Sequence, residues 1–147
     1  MVNERIRASF PHIGEDAQIT SPATPEYNCI AWALGEVDRW WEAGTPPGYF
    51  WPASIPEDHL LTSLIAALET VGFTRCDNGE LEPDIEKIAV FEGDDAEYAH
   101  VAKQLPNGRW SSKLGAWEDI EHRFDALVGP APAYGIFHCY MRRQRAT

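Results

Sequence analysis

Residues 28–35 read N-C-I-A-W-A-L-G, an unbroken run of small and apolar side chains between an asparagine and a glycine. Asn is a good helix N-cap because its side-chain oxygen accepts a hydrogen bond from a backbone N–H of the first turn. Gly is common just after the last helical residue, where the backbone adopts a positive φ. The stretch therefore predicts a short buried helix with Cys29 in its first turn.

A second helix is predicted after residues 54–57, S-I-P-E, which match the capping-box pattern that starts many helices. Gly72 ends the run of apolar residues that follows. The spacing of those residues is that of one helical face: Leu60, Leu61, Leu64, Ile65, Leu68 and Val71. Residues 36–53, rich in aromatic side chains and proline, are predicted to form a long loop between the two helices.

Three β-prone segments follow, at residues 85–91, 98–105 and 109–114. The pair Asn107-Gly108 separates the last two segments. Asn-Gly between two strands is the strongest short-range signal for a β-hairpin, because both residues tolerate the positive φ that the tight turn needs. The second half of the chain is therefore predicted to build an antiparallel sheet.

Residues 118–128 return to helical spacing, and residues 134–141 form the last predicted strand. We predict an irregular lead-in over residues 1–25, which show no periodicity, and a solvated basic tail over residues 142–147. The resulting order α, α, β, β, β, α, β predicts a single α+β domain spanning residues 1–147.

Composition excludes several kinds of partner. The 147 residues include 12 Lys and Arg against 23 Asp and Glu, a formal net charge of −11. A phosphate backbone or an anionic membrane surface would be repelled, so neither nucleic acid nor membrane is an expected partner. The sequence has no apolar run long enough for a membrane-spanning helix and no signal peptide. Together with three widely spaced cysteines, this predicts a soluble cytoplasmic protein.

The residues best suited to chemistry are Cys29 and His100. A thiol attacks well only as its thiolate, and a helix N-terminus or a nearby imidazolium lowers the pKa of the thiol. Cys29 opens a predicted helix, and His100 opens a predicted strand that could supply a general base. A third polar group should orient the imidazole, and Ser112 and Asp119 are the candidates.

The order of these motifs resembles that of the papain-like cysteine hydrolases, most closely the compact NlpC-type cell-wall peptidases and amidases. The matching segments are Tyr27-Asn28-Cys29, H-V-A-K-Q-L at residues 100–105, Asn107-Gly108 and R-W-S-S at residues 109–112. The chain is also similar to a bacterial family with a Y-N-C-x-A-W-A opening and an S-K-L-G…D-I-E-H segment. Here these are residues 27–33 and 112–122.

The resemblance implies a papain-like fold and a thiol hydrolase or acyl transferase that acts on the amide bond of a peptide, a protein or a smaller amide. Cys29 would be the nucleophile and His100 the base and then the acid. Ser112 would occupy the place of the third residue, with Asp119 as its alternative. The residues expected to border the substrate cleft are Tyr27, Asn28, Trp40, Trp41 and Trp51.

A non-catalytic binding module on the same fold is the alternative. Free cysteine is among the most buried residue types, and aromatic rings often cover a core. NlpC-type enzymes usually carry Asp before the cysteine and His, Asn or Gln as the third residue, whereas this chain has Asn28 and Ser112. No zinc-binding, calcium-binding or phosphate-binding motif is present, so no metal or other cofactor is expected.

Overall fold

The computed structural model describes residues 2–43 and 49–145. It is an α+β domain with few helices and one large antiparallel sheet, as predicted. The helices are α1 (Glu4–Ser9), α2 (Cys29–Ala33) and α3 (Leu61–Glu69), with a 3-10 turn at Asp94–Ala96. The strands are β1 (Gln18–Ser21), β2 (Trp40–Trp41), β3 (Tyr49–Phe50), β4 (Thr74–Cys76), β5 (Ile85–Glu92), β6 (Tyr98–Gln104), β7 (Trp110–Lys113), β8 (Asp119–His122) and β9 (Ile136–Gln144).

The large sheet has the strand order β1-β8-β7-β6-β5-β9-β4, and every neighbouring pair is antiparallel. The turn between β6 and β7 is the predicted Asn-Gly hairpin. Leu105 donates its backbone N–H to the carbonyl of Arg109 at 2.7 Å, and Gly108 has a φ of +87°. These two strands pair only at Lys103–Ser111 and Gln104–Trp110, so the earlier residues of β6 lie outside this pairing.

Helix α2 forms where the sequence predicts it. The side-chain oxygen of Asn28 accepts the backbone N–H of Ala31 at 3.2 Å, which is the expected N-cap bond. The same oxygen accepts the backbone N–H of Trp41, and the Asn28 amide donates to the carbonyl of Trp41 at 2.6 Å. Gly35 follows the helix with a φ of +83°. One side chain thus caps the helix and fixes the start of the aromatic segment.

Helix α3 is also confirmed, but the capping box that was expected to start it is wrong. The helix begins at Leu61, and its N-cap residue Leu60 makes no side-chain cap bond. Leu60 instead forms an isolated β-bridge with Glu97, and Asp58 accepts the backbone N–H of Leu60 at 3.1 Å. Contacts with the start of β6 therefore set where this helix begins.

Three further sequence predictions are wrong. Residues 118–128 form β8 and turns rather than a helix, and the lead-in contains α1 and β1. Residues 142–144 are not a frayed tail, because they belong to β9. Apolar burial and strand pairing order these segments; the N-terminal segment, for example, buries Val2, Ile6, Phe10 and Ile13.

The two faces of the sheet pack into different core clusters. Val90 and Val101 pair across β5 and β6 and pack with α2 and α3. Their neighbours Phe91 and His100 pair in the same register, and Phe91 belongs to a separate aromatic cluster. Because side chains alternate between the faces of a strand, Val101 and His100 leave β6 on opposite sides.

The predicted aromatic loop contains a short parallel pair, Trp40–Tyr49 and Trp41–Phe50. The Pro-Pro-Gly part of that prediction, within residues 44–48, lies outside the described residues. The indole of Trp41 is fully buried, so this ring belongs to the core. No helix in the described parts of the chain has both the length and the apolar character to cross a membrane.

Candidate functional site

A cavity of about 250 Å³ opens beside the first turn of α2. Three larger depressions in the described residues, of about 460, 480 and 450 Å³, contain none of the predicted site residues. The smaller cavity is the candidate site because Cys29 lines it together with several aromatic and titratable side chains. Its lining residues are Asn28, Cys29, Ile30, Trp40, Trp41, Glu42, His59, Tyr98, Ala99, Gly115 and Tyr134.

The Cys29 thiol is enclosed although the residue as a whole keeps some exposed surface. Burial raises the pKa of this thiol to about 11, while the nearby backbone N–H groups of Val101 and Ile30 act in the opposite direction. The lowered pKa expected at a helix start is therefore not found, because desolvation of the thiolate outweighs the N–H groups. Cys29 rests as a neutral thiol.

His100 is fully buried and belongs to a chain of three side chains. Its Nε2 lies 2.8 Å from the Oγ of Ser112, and this Oγ lies 2.7 Å from the Nε2 of His122. The Nδ1 of His122 lies 2.6 Å from the carbonyl oxygen of Arg123. Burial holds the pKa of His100 well below its usual value and lowers that of His122 to about 4, so both rings are neutral at pH 7.

The hydrogen-bond chain assigns the tautomers of both rings. His122 must carry its proton on Nδ1 because that atom faces a carbonyl oxygen, so its Nε2 accepts the Ser112 hydroxyl proton. The Ser112 oxygen then accepts from the Nε2–H of His100. It follows that the Nδ1 of His100 is an unprotonated acceptor, and this buried atom has no hydrogen-bond partner among the described residues.

Tyr134 connects the two halves of the site. Its ring stacks on His100 with the centroids 4.2 Å apart and the planes 9° apart, and it also lines the cavity that Cys29 borders. Val101, whose backbone N–H lies near the thiol, follows His100 directly in β6. The Cys29 thiol thus lies near the residue that follows His100, and no hydrogen bond joins the two side chains in the described residues.

Asp119 does not contact His100. Its Oδ2 accepts the hydroxyl of Tyr27 at 2.7 Å, and its Oδ1 is buried without a partner among the described residues. Lys113 pairs with Asp119 in the register of β7 and β8. The Nζ of Lys113 donates to three backbone carbonyls, those of Thr24, Tyr27 and Gly115. Of the two candidates for the third residue, only Ser112 touches the imidazole.

The residues expected to border the cleft fall into two groups. Asn28, Trp40 and Trp41 line the cavity. Tyr27 faces Asp119 and stacks on Trp32, and Trp51 stacks on Tyr98 with the centroids 6.4 Å apart. Trp51 therefore packs behind one wall of the cavity, whereas Tyr27 contacts residues that do not line it.

Sequence reasoning missed His59, Glu42, Tyr134 and the role of His122. His122 lies in β8 with its ring buried, whereas Glu118, four residues earlier, binds Arg5 at 2.8 Å. No local pattern marks His59 or Glu42, because they lie in loop segments and meet only in the folded chain. Among the described residues no group of three or more His, Cys, Asp or Glu side chains is arranged to hold a metal ion.

Comparison with known proteins gives one result. No curated protein and no solved structure matches the chain. A family model with the description "Domain of unknown function (DUF7689)" matches residues 18–142, which include all the candidate site residues and the large sheet up to the last two residues of β9. The chain therefore belongs to the DUF7689 family.

Proposed function

We propose that this domain is a papain-like, NlpC-type thiol hydrolase or acyl transferase that acts on an amide or peptide bond. The proposal rests on the Nδ1 of His100, a buried atom without a hydrogen-bond partner among the described residues. A buried acceptor without a partner is costly to retain, and here its ring is held in one orientation from the opposite side by Ser112 and His122. A lone pair held in this way is what a general base requires.

The protonation states of Cys29 and His100 before the reaction determine its first step. Both the thiol and the imidazole are neutral, so no preformed ion pair exists. The Cys29 sulfur attacks the carbonyl carbon of the substrate while its proton passes to the Nδ1 of His100. That proton then moves to the leaving nitrogen, the C–N bond breaks, and the acyl group remains on sulfur as a thioester. Catalytic hydrogen bonds are often long or poorly aligned in the free enzyme and tighten when substrate is bound, so the proton transfer from thiol to imidazole does not require a hydrogen bond at rest.

The cavity favours a substrate with a flat or apolar group next to the scissile bond. Trp40, Tyr98 and Tyr134 supply aromatic lining, and Glu42 is a carboxylate among them. Small-molecule and peptide sites commonly combine apolar walls with a few polar groups. The three free thiols of the chain favour a reducing compartment such as the cytoplasm.

The test is the pH dependence of Cys29 alkylation by iodoacetamide, read by peptide mass spectrometry. We expect wild type to react at pH 7 at least about tenfold faster than the His100→Gln variant, because an acceptor for the thiol proton raises the fraction of reactive sulfur. Cys76 in the same digests is the internal control and should react equally in both proteins. Circular dichroism confirms that the variant folds.

Equal rates at Cys29 in wild type and His100→Gln would overturn the proposal. That result favours the second candidate, a non-catalytic binding module that uses the same cavity. The raised pKa of the Cys29 thiol is the observation that supports this alternative, since a buried neutral thiol behaves as a small apolar side chain. Cys29→Ala would then leave ligand binding in the cavity unchanged.

A further inference from the structure

We propose that His59, oriented by Glu42, is the general base that activates water for the release of an acyl group from Cys29. The inference rests on the proposed function and adds a second catalytic histidine to it. No motif in the sequence points to this residue, and only the folded chain brings it to the cavity of Cys29.

The position of His59 is well defined. Its carbonyl oxygen accepts the backbone N–H of Tyr98 at 3.0 Å, and the neighbouring Leu60 bridges to Glu97. The imidazole lies 5.8 Å from the ring of Tyr98, centroid to centroid. These contacts anchor the segment before α3 to the start of β6, so the imidazole is held at the wall of the cavity.

Glu42 lines the same cavity and engages two groups with its two oxygens. Oε1 accepts the indole N–H of Trp40 at 2.9 Å. Oε2 lies 3.6 Å from the Nε2 of His59. A carboxylate at this distance stabilises the imidazolium that forms when the ring takes up a proton, which is the role of the acid in a catalytic triad.

Solvent exposure distinguishes His59 from His100. The side chain of His59 is 43% exposed, whereas His100 is fully buried and its ring is covered by Tyr134. An incoming water molecule can reach His59 from solvent, but it cannot reach His100 without displacing Tyr134. The two histidines therefore differ in access: the ring of His100 is enclosed by the fold, whereas the ring of His59 lies where water can enter the cavity.

Hydrolysis of the thioester needs only water, the acylated Cys29 and His59. The oxygen of water attacks the carbonyl carbon of the thioester, and His59 takes one of its protons. The C–S bond breaks with its electron pair moving to sulfur, and the products are a carboxylic acid and the thiolate of Cys29. The proton on His59 then returns through solvent, which restores the neutral thiol.

The test uses p-nitrophenyl acetate, an activated acetyl donor that acylates thiols without a specific substrate. A burst of p-nitrophenolate measures acetylation of Cys29, and the steady-state rate after the burst measures deacylation. We expect His59→Gln to keep the burst and to lower the steady-state rate about 100-fold, the usual contribution of a general base. Glu42→Gln, which removes only the orienting charge, should lower that rate about tenfold.

His138→Gln is the matched control, because His138 also lies near a glutamate, with its Nδ1 3.4 Å from the Oε1 of Glu92, but does not line this cavity. It should keep both the burst and the steady-state rate. A steady-state rate in His59→Gln equal to that of wild type, with the burst intact, would overturn the role of His59 and leave the proposed function standing. Absence of any acetyl group on Cys29 in wild type, read by mass spectrometry, would overturn both.

Discussion

The Oγ of Ser112 lies 2.8 Å from the Nε2 of His100, and the same oxygen lies 2.7 Å from the Nε2 of His122. One hydroxyl therefore satisfies a donor on one ring and an acceptor on the other. All three side chains are buried. Because neither Nε2 atom can reach water, this hydroxyl is the group that satisfies both nitrogens. It therefore contributes to the stability of the fold and to the orientation of His100.

The first prediction concerns that atom. Ser112→Ala leaves two buried imidazole nitrogens without partners, and we expect the free energy of unfolding to fall by about 2–3 kcal/mol. Urea denaturation at pH 7.5 measures the loss. Ser54→Ala is the control, because Ser54 is exposed and does not cap α3, and its effect should stay within about 0.5 kcal/mol. Equal stability of the two variants would show that the hydroxyl does not bridge the rings.

The second prediction is a loss of stability in acid. The folded pKa of His122 is about 4, below the ordinary unfolded value of 6.5, so the unfolded chain binds the proton more readily between these two pH values. The stabilisation is fully present above pH 6.5 and is lost as the pH falls toward 4. By linkage the contribution of this one group is at most about 3 kcal/mol.

Chemical denaturation at pH 7, 6, 5 and 4 measures this loss. His122→Gln should lose less stability than wild type over the same range, since it has one fewer buried imidazole to protonate. His12→Gln, at an exposed position, should follow wild type. Parallel curves for wild type and His122→Gln would contradict the assignment of His122 as a neutral buried ring.

The third prediction tests the buried carboxylate of Asp119. Tyr27→Phe removes the only side-chain donor that the structure shows for Asp119 at hydrogen-bond distance, the hydroxyl at 2.7 Å. We expect a loss of about 2–3 kcal/mol, as is usual for a hydrogen bond to a buried charged group. Tyr49→Phe is the control, since Tyr49 is 48% exposed. Thermal and urea unfolding should show a larger loss of stability for Tyr27→Phe than for Tyr49→Phe. An equal or larger loss for Tyr49→Phe would contradict the prediction.

The fourth prediction concerns the end of β9. Arg143 binds Glu86 through its Nε at 2.9 Å and donates to the carbonyls of Val71 and Leu34. We expect Arg143→Ala to lower the free energy of unfolding by about 2 kcal/mol, because a strand end and two loop carbonyls lose their common partner. Arg7→Ala, at an exposed position, should have little effect. A negligible change in the stability of Arg143→Ala would show that this segment behaves as the solvated basic tail that its composition predicts.

Elements with strong local signals could be predicted from the sequence. The N-cap Asn28 and the hairpin residues Asn107 and Gly108 act within a few residues of themselves, so no knowledge of distant contacts is needed. The pairing of His100 with Ser112 followed from a resemblance at the level of motifs, and the structure places these side chains in contact. Trp40 and Trp41, which the resemblance places at the cleft, line the cavity beside Cys29.

Elements decided by long-range pairing could not be predicted in this way. Ile120, Phe124 and Leu127 have helical spacing, but Ile120 pairs with Ser112 on one side and Ile19 on the other. Sheet pairing of this kind overrides local propensity.

Helix α1 did carry a readable signal. Asn3 caps it, and Ile6 and Phe10 lie one turn apart on its buried face. By contrast, Glu42 and His59 belong to segments without periodicity, and only tertiary structure brings them together.

The position of β9 in the sheet has a consequence for the order in which the protein is made. β9 follows all the other strands of this sheet in the chain, yet it lies in the interior of the sheet between β5 and β4. Tyr134, which covers His100 and lines the cavity, lies two residues before the start of β9. A nascent chain that already carries Cys29 and His100 therefore has no complete cavity on the ribosome, and the cavity closes only once translation has passed Gln144.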